Sequence, residues 1–389
     1  MPAICFYFQV HQPYRLRKYT FFDLGHDHTY EDSGLNEEIL NRVTENCYLP
    51  ANALISRLID ATDGKVKVSY SLSGVVMDQM NEWRPDALAS FARLSDYKSV
   101  EFLGETYYHS LAALYDWDEF HRQRQLHQST LRKYLNREAS VFRNTELIYS
   151  NEIAQAIAPF YQGILGEGVD WYMEGHHPNH VFRVPKGKGL GLLLRNHRVS
   201  DEISFRFPEI GLNADEFLDR IEALPGEIIN LFLDYETFGE HIKADIGILD
   251  FLEEIFKKAV ERKIKFRKPT KAIEKAASPE KLSIPSLTSW ADTERDTSAW
   301  RGNEMQRLAL KKVYELGPSV RKNNTPMVWE QWGRLQTSDH YYYMSTKGKA
   351  DGEVHEYFNP FNTPYDAYIH FMNVLSDFEL RIKGHTTEV

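Results

Sequence analysis

The chain has 389 residues, a net charge of −10, 42% apolar and 26% charged side chains, which is ordinary usage for a globular protein and excludes disorder and a collagen-like rod. With only Cys5 and Cys47 there is no disulfide framework. The acidic balance argues against nucleic acid as a partner, and no apolar run reaches the roughly 20 residues of a membrane span.

Ile4–Val10 is an apolar strand candidate that runs into His11-Gln12-Pro13. Ala51–Asp63 is amphipathic, closes on Asp-Gly and predicts a helix. Strands follow at Val66–Leu72 and Val100–Leu103, the second leading into Gly104-Glu105. Glu119–Leu135 is a long, polar-faced helix. Val141–Ile148 reads as a strand that carries Glu146, and His180–Val184 and Leu190–Leu194 as two more. Ala214–Ala223, capped by Asn213, precedes the strand Ile228–Leu233, which ends at Asp234. Ile246–Arg262 is helical and Leu282–Leu287 is an eighth strand candidate. After about residue 295 the strand signals stop, and Trp300–Leu316 and Tyr365–Ile382 read as helices. Apolar strands alternating with helices predict an α/β fold on a parallel sheet, closed or open.

The polar residues sit where such strands end. In a parallel α/β barrel all strand carboxyl ends meet at one rim, where chemistry is done. Residues remote in sequence, such as Glu146 and Asp234, can then face each other across a cleft. Two carboxylates in one cleft are the minimum for glycoside hydrolysis: one attacks or activates water, and the other gives a proton to the leaving oxygen. Aromatics, 13% of the chain, serve the core first, but beside acids they also suit sugar faces.

The same residues carry a resemblance. His11-Gln12-Pro13, Gly104-Glu105, Phe142–Tyr149, Leu233–Gly239 and Glu294–Asn303 resemble, in order, five motifs of glycoside hydrolase family 57, whose shorter α-amylase-type members the chain looks most like. The resemblance implies an incomplete (β/α)7 TIM-like barrel over 1–295, the catalytic domain, with a C-terminal helical bundle over 296–389 packed on it. Eight candidate strands exceed seven, and His180–Val184 with Leu190–Leu194 can be a single hairpin. It implies a retaining mechanism with Glu146 as nucleophile and Asp234 as general acid/base, whose carboxyl groups should lie about 5–5.5 Å apart. His11, Glu105, Glu236, His241, Asp296 and Trp300 become candidate substrate-binding residues, with Glu236 a second possible acid. The expected partner is an α-glucan or maltooligosaccharide, with no cofactor and no metal.

Rival readings stand beside this one. A 4-α-glucanotransferase or branching enzyme would use the same site. His176, His177 and His180 suggest a metal-dependent polysaccharide deacetylase, although their spacing matches no helical zinc motif. A non-catalytic sugar-binding protein could use the same cleft. The segment Gln336–His340, among Trp329, Trp332 and Tyr341–Tyr343, can serve either the cleft or the core of the helical region. Met1–Pro13 lacks a basic segment and a small-residue cleavage site, so a cytoplasmic protein is expected.

Overall fold

The computed structural model describes residues 1–173, 175–277, 279–347 and 357–384. Its strands are β1 (Ala3–Val10), β2 (Val68–Leu72), β3 (Val100–Phe102), β4 (Val141–Arg143), β5 (Gly163–Glu167), β6 (Val181–Arg183), β7 (Gly191–Arg195) and β8 (Ile228–Asp234). They form two four-stranded sheets, ordered β3-β2-β1-β8 and β4-β5-β7-β6. Every pairing in them is parallel except β6 with β7. A parallel bridge between Gly104 and Phe142 joins β3 to β4. At the other side the Asn196 N–H donates to the Asn230 carbonyl at 3.0 Å, and the Asn230 side chain donates to the Leu194 carbonyl at 2.9 Å.

The strands alternate their side chains between two cores, as a pleated strand must. From β1, Ile4, Phe6, Phe8 and Val10 enter a large outer core beneath helices such as Leu49–Ala61 and Ile248–Glu261. Cys5 and Tyr7 point the other way, into a small cluster with Leu165, Leu193, Ile228 and Phe232 from β5, β7 and β8. A second outer core joins β4, β5 and β7 to the C-terminal helices Glu304–Glu315 and Pro364–Gly384. None of the described helices is long and apolar enough to cross a membrane.

Several expectations need correction. Leu282–Leu287 is not a strand. Pro285 interrupts it and lacks the N–H a ladder needs, and isolated bridges occur only beside it, at Lys281 and Thr288. β5, GILGE, escaped notice because its glycines dilute the strand signal. Gly163 and Gly191 are small for a reason: a Cβ on either would run into Ile273, at 2.1 and 2.7 Å. His180–Val184 and Leu190–Leu194 do form one antiparallel hairpin, as the excess of candidate strands suggested. The expected helix Trp300–Leu316 breaks at Gly302-Asn303, where Asn303 and Gln306 make a reciprocal capping box for the helix that follows.

Candidate functional site

Parallel strands deliver their last residues to one end of the sheets. Gln9 of β1 is in register with Ser71 of β2 and with Asp234 of β8. Beyond these strand ends lies a cleft lined by Gln9, His11, His109, Glu146, Asp234, Glu236, His241, Trp290, Asp339 and Phe358, among others.

Glu146 is not on the strand expected for Val141–Ile148. β4 stops at Arg143, and the chain turns through Glu146 (φ 56°, ψ 29°) and Leu147 (φ 51°). Left-handed backbone at two successive residues with a Cβ is costly and needs support. The Ser289 hydroxyl (2.7 Å) and the Trp290 N–H (3.3 Å) both donate to the Glu146 carbonyl. The turn leaves the carboxylate of Glu146 facing fixed donors. The Trp290 indole N–H donates to Oε2 at 2.7 Å; His109 Nε2 lies 3.2 Å from Oε1, and the Ser338 hydroxyl 3.4 Å from it. The Trp290 ring is itself flanked by the guanidinium groups of Arg143, at 4.9 Å, and Arg195, at 5.7 Å.

His109 bridges two acids, since its Nδ1 lies 3.1 Å from Glu105 Oε2. Burial opposes its charge, but hydrogen bonds to Glu105 and Glu146 and their negative charges raise its pKa to about 9. Burial likewise disfavours ionised Glu105, yet His109 holds that carboxyl below its ordinary value. His11 stacks on His109 with ring centroids 4.0 Å apart. Burial first, and then the neighbouring His109 charge, lower the His11 pKa to about 4. Neutral His11 suits its partners: Nε2 faces Asp339 at 3.1 Å and donates, while Nδ1 accepts from the Ser73 hydroxyl at 2.7 Å.

Asp234 ends β8, and Glu236 follows in a tight turn. Glu236 is buried and accepts the Tyr48 hydroxyl at 2.5 Å. Burial, then repulsion from Asp234, push its pKa up to about 8, so it holds its proton at neutral pH.

Residues 5–285 match the family described as Glycosyl hydrolase family 57. The chain belongs to that family. Over 400 aligned residues, spanning 98% of this chain and 85% of the relative, it is 38% identical to a protein of Methanocaldococcus jannaschii named "Putative alpha-amylase". Solved structures share the fold at lower identity. The family 57 branching enzyme of Thermococcus kodakaraensis is 14% identical with a TM-score of 0.74, over 99% of this chain and 91% of that one. The branching enzyme of Pyrococcus horikoshii is 13% identical with a TM-score of 0.72, over 92% and 87%. The 4-α-glucanotransferase of Thermococcus litoralis is 14% identical with a TM-score of 0.69, over 88% of this chain but only 56% of that longer one.

Of the residues expected in this family 57 site, His11, Glu146, Asp234, Glu236 and His241 line the cleft. Glu105 sits fully buried behind it and is linked to Glu146 through His109. Asp296 and Trp300 do not belong with them. Asp296 is exposed and caps Ser298. Trp300 is fully buried in one cluster with Ala299, Leu310 and Tyr341, so it packs the core and is not part of the cleft lining. Sequence reasoning missed His109, Trp290, Phe358 and the roles of Ser338 and Asp339. His109 had a signal, four residues past the motif acid Glu105. Trp290 had little, because it follows a loop that the sequence presents as a strand. Of the segment Gln336–His340, Ser338 and Asp339 reach the cleft, whereas the neighbouring Trp332 and Tyr341 are core.

Proposed function

We propose that the chain is a retaining glycoside hydrolase of the α-amylase type, acting on α-glucans or maltooligosaccharides. The observation that carries this reading is that Glu146 and Asp234, remote in sequence, line one cleft. Glu146 attacks the anomeric carbon while Asp234 protonates the leaving glycosidic oxygen. Asp234 then takes a proton from water, which displaces Glu146 from the glycosyl ester. Donors on both oxygens of Glu146 favour the ionised nucleophile. His11, Glu236, His241 and Asp339 offer polar contacts to sugar hydroxyls, and Trp290 and Phe358 offer faces for sugar rings. The α-amylase name of the 38% identical relative supports the substrate class.

The scaffold in this reading is an incomplete (β/α)7 barrel over 1–295, with the helical region 296–389 packed on it. Its support is the Gly104–Phe142 bridge, the Asn196–Asn230 link and the single inner cluster fed by strands of both sheets.

The test is incubation with maltooligosaccharides and separation of products by size. Shorter products are expected; longer ones as well would mean glucanosyl transfer to a sugar acceptor. Glu146→Gln and Asp234→Asn should each lose about 10³-fold or more in kcat/KM. Full activity in either variant would remove that residue from its role.

A further inference from the structure

The contacts of His109 pose a bookkeeping problem in protons. Both ring nitrogens face carboxyl oxygens, Nδ1 to Glu105 at 3.1 Å and Nε2 to Glu146 at 3.2 Å. A neutral imidazole has one donor and one acceptor, and an ionised carboxylate only accepts. Two ionised acids can be satisfied only by a ring that carries both protons. The backbone points the same way. His109 has φ 51° and Glu146 φ 56°, so two side-chain-bearing residues in left-handed conformation meet across one hydrogen bond. Such strain persists where surrounding structure enforces it, and it clusters at working sites. Here the His109 carbonyl is pinned by the Ser338 N–H at 3.0 Å, and its own N–H by the Thr106 carbonyl at 3.1 Å.

We propose that His109 is a positioning residue, an imidazolium clamped between Glu105 and Glu146 that orients the nucleophile and keeps it ionised. The inference rests on the glycosidase reading of the cleft and extends it to the second half of the cycle. When Glu146 forms its bond to C1, its negative charge disappears and His109 loses one counter-ion. Glu105, fully buried on the far side, remains and lets the ring keep its charge in the covalent intermediate. When the C1–Oε bond breaks again, the electron pair returns to Glu146 beside a waiting cation. Glu105 therefore serves catalysis without touching substrate.

The charged and titratable groups around the ring are few. Glu105 precedes it on its own segment, and Glu146 faces it from the turn after β4. His11 stacks on it from beyond β1, with Asp339 behind. His127 accepts the Glu105 backbone N–H at 3.3 Å, and buried Arg143 lowers the pKa of Glu105 through its charge. His11 is neutral in this setting, so the stacked pair carries one charge and not two.

The test uses His109→Asn, because asparagine tolerates left-handed backbone while the change removes the cation together with the ring's bridge to both acids. On a maltooligosaccharide substrate, kcat should fall about 100-fold and the acid limb of kcat/KM should move up by about one pH unit, with KM within about threefold of wild type. Glu105→Gln should move the limb in the same direction by less. Independently, nitrogen NMR of the wild type with labelled histidine, the His109 ring assigned through bonds from its own backbone amide, should find both ring nitrogens of His109 protonated at pH 7.5. A neutral tautomer at that pH overturns the inference even if the variant does not fold. So does a folded His109→Asn enzyme with an unmoved acid limb, and in that case the glycosidase reading stands. A wild type inert on glucans would end both.

Discussion

At the scale of single residues, the cleft replaces water around one carboxylate with oriented donors. Glu146 takes a hydrogen bond from the Trp290 indole on one oxygen and faces His109 with the other. In the cycle proposed for Glu146, a donor fixed in place needs no reorganisation as charge leaves the carboxylate and returns. Trp290→Phe keeps an aromatic ring in the cleft and deletes the N–H. It should cost about 10- to 100-fold in kcat on maltooligosaccharides with a smaller change in KM, as read by steady-state kinetics. Glu236 sets a different expectation. Burial and the Asp234 charge raise its pKa from 4.5 to about 8. The stability that its neutral form confers is complete below the unfolded value and is lost as pH rises through the folded one. Raised His109 acts in the same sense. Below about pH 6.5 the buried neutral His11 and His340, whose pKa values are lowered to about 4, act in the opposite sense, so the melting temperature should fall from about pH 6.5 to about pH 9, and Glu236→Gln, which cannot ionise, should make that decline shallower. A melting series across pH on both proteins checks it, and parallel curves would mean that Glu236 is already ionised at neutral pH.

At the scale of elements, the turn after β4 does most to make the site. Its conformation is held by a loop more than a hundred residues away, through Ser289 and the backbone of Trp290. Ser289→Ala removes one of those bonds and should destabilise the protein by about 1 kcal/mol. It should lower kcat more than that loss alone suggests, because the Glu146 carboxylate moves with its backbone. Thermal melts and kinetics on the same variant separate the two effects. This turn also marks where the sequence stops being readable. β1, β2, β3, β6, β7 and β8 are legible from their apolar runs, and the motif acids Glu146 and Asp234 from their places at or beyond strand ends. A left-handed turn at Glu146-Leu147 carries no such signal. Leu147 and Ile148 continue an apolar run whether the chain extends or turns, and no glycine announces the change. Trp300 misleads for the opposite reason. An aromatic beside acids suits a sugar face, but only packing distinguishes it from a core residue, and Leu310 and Tyr341 decide the matter.

At the scale of the whole molecule, the C-terminal helices finish both the core and the cleft. Phe142, Ile164, Leu192 and Leu194 of β4, β5 and β7 share one hydrophobic cluster with Trp300, Leu310, Trp332 and Phe378. Asp339 holds His11 in the cleft, the Ser338 hydroxyl lies 3.4 Å from Glu146, and Arg15 is bonded to the Phe358 carbonyl at 3.0 Å. The helices after residue 295 thus share both packing and site with the strands before it. Cutting the chain there would expose the outward side chains of β4, β5 and β7. Each large apolar group moved from core to water costs about 1.5–3 kcal/mol. A handful of such losses equals the whole stability of an ordinary domain, about 5–15 kcal/mol. A fragment ending at residue 295 is therefore expected to be insoluble or to lack a cooperative melting transition, and to turn over no maltooligosaccharide. Co-expression with residues 296–389 should restore some soluble, active material, because the two pieces bury the same surfaces against each other. Circular dichroism melts and product analysis on the fragment check this. A fragment 1–295 that melts cooperatively and still cleaves glucan would show that the helices are dispensable, and that Ser338 and Asp339 contribute little to the chemistry at Glu146.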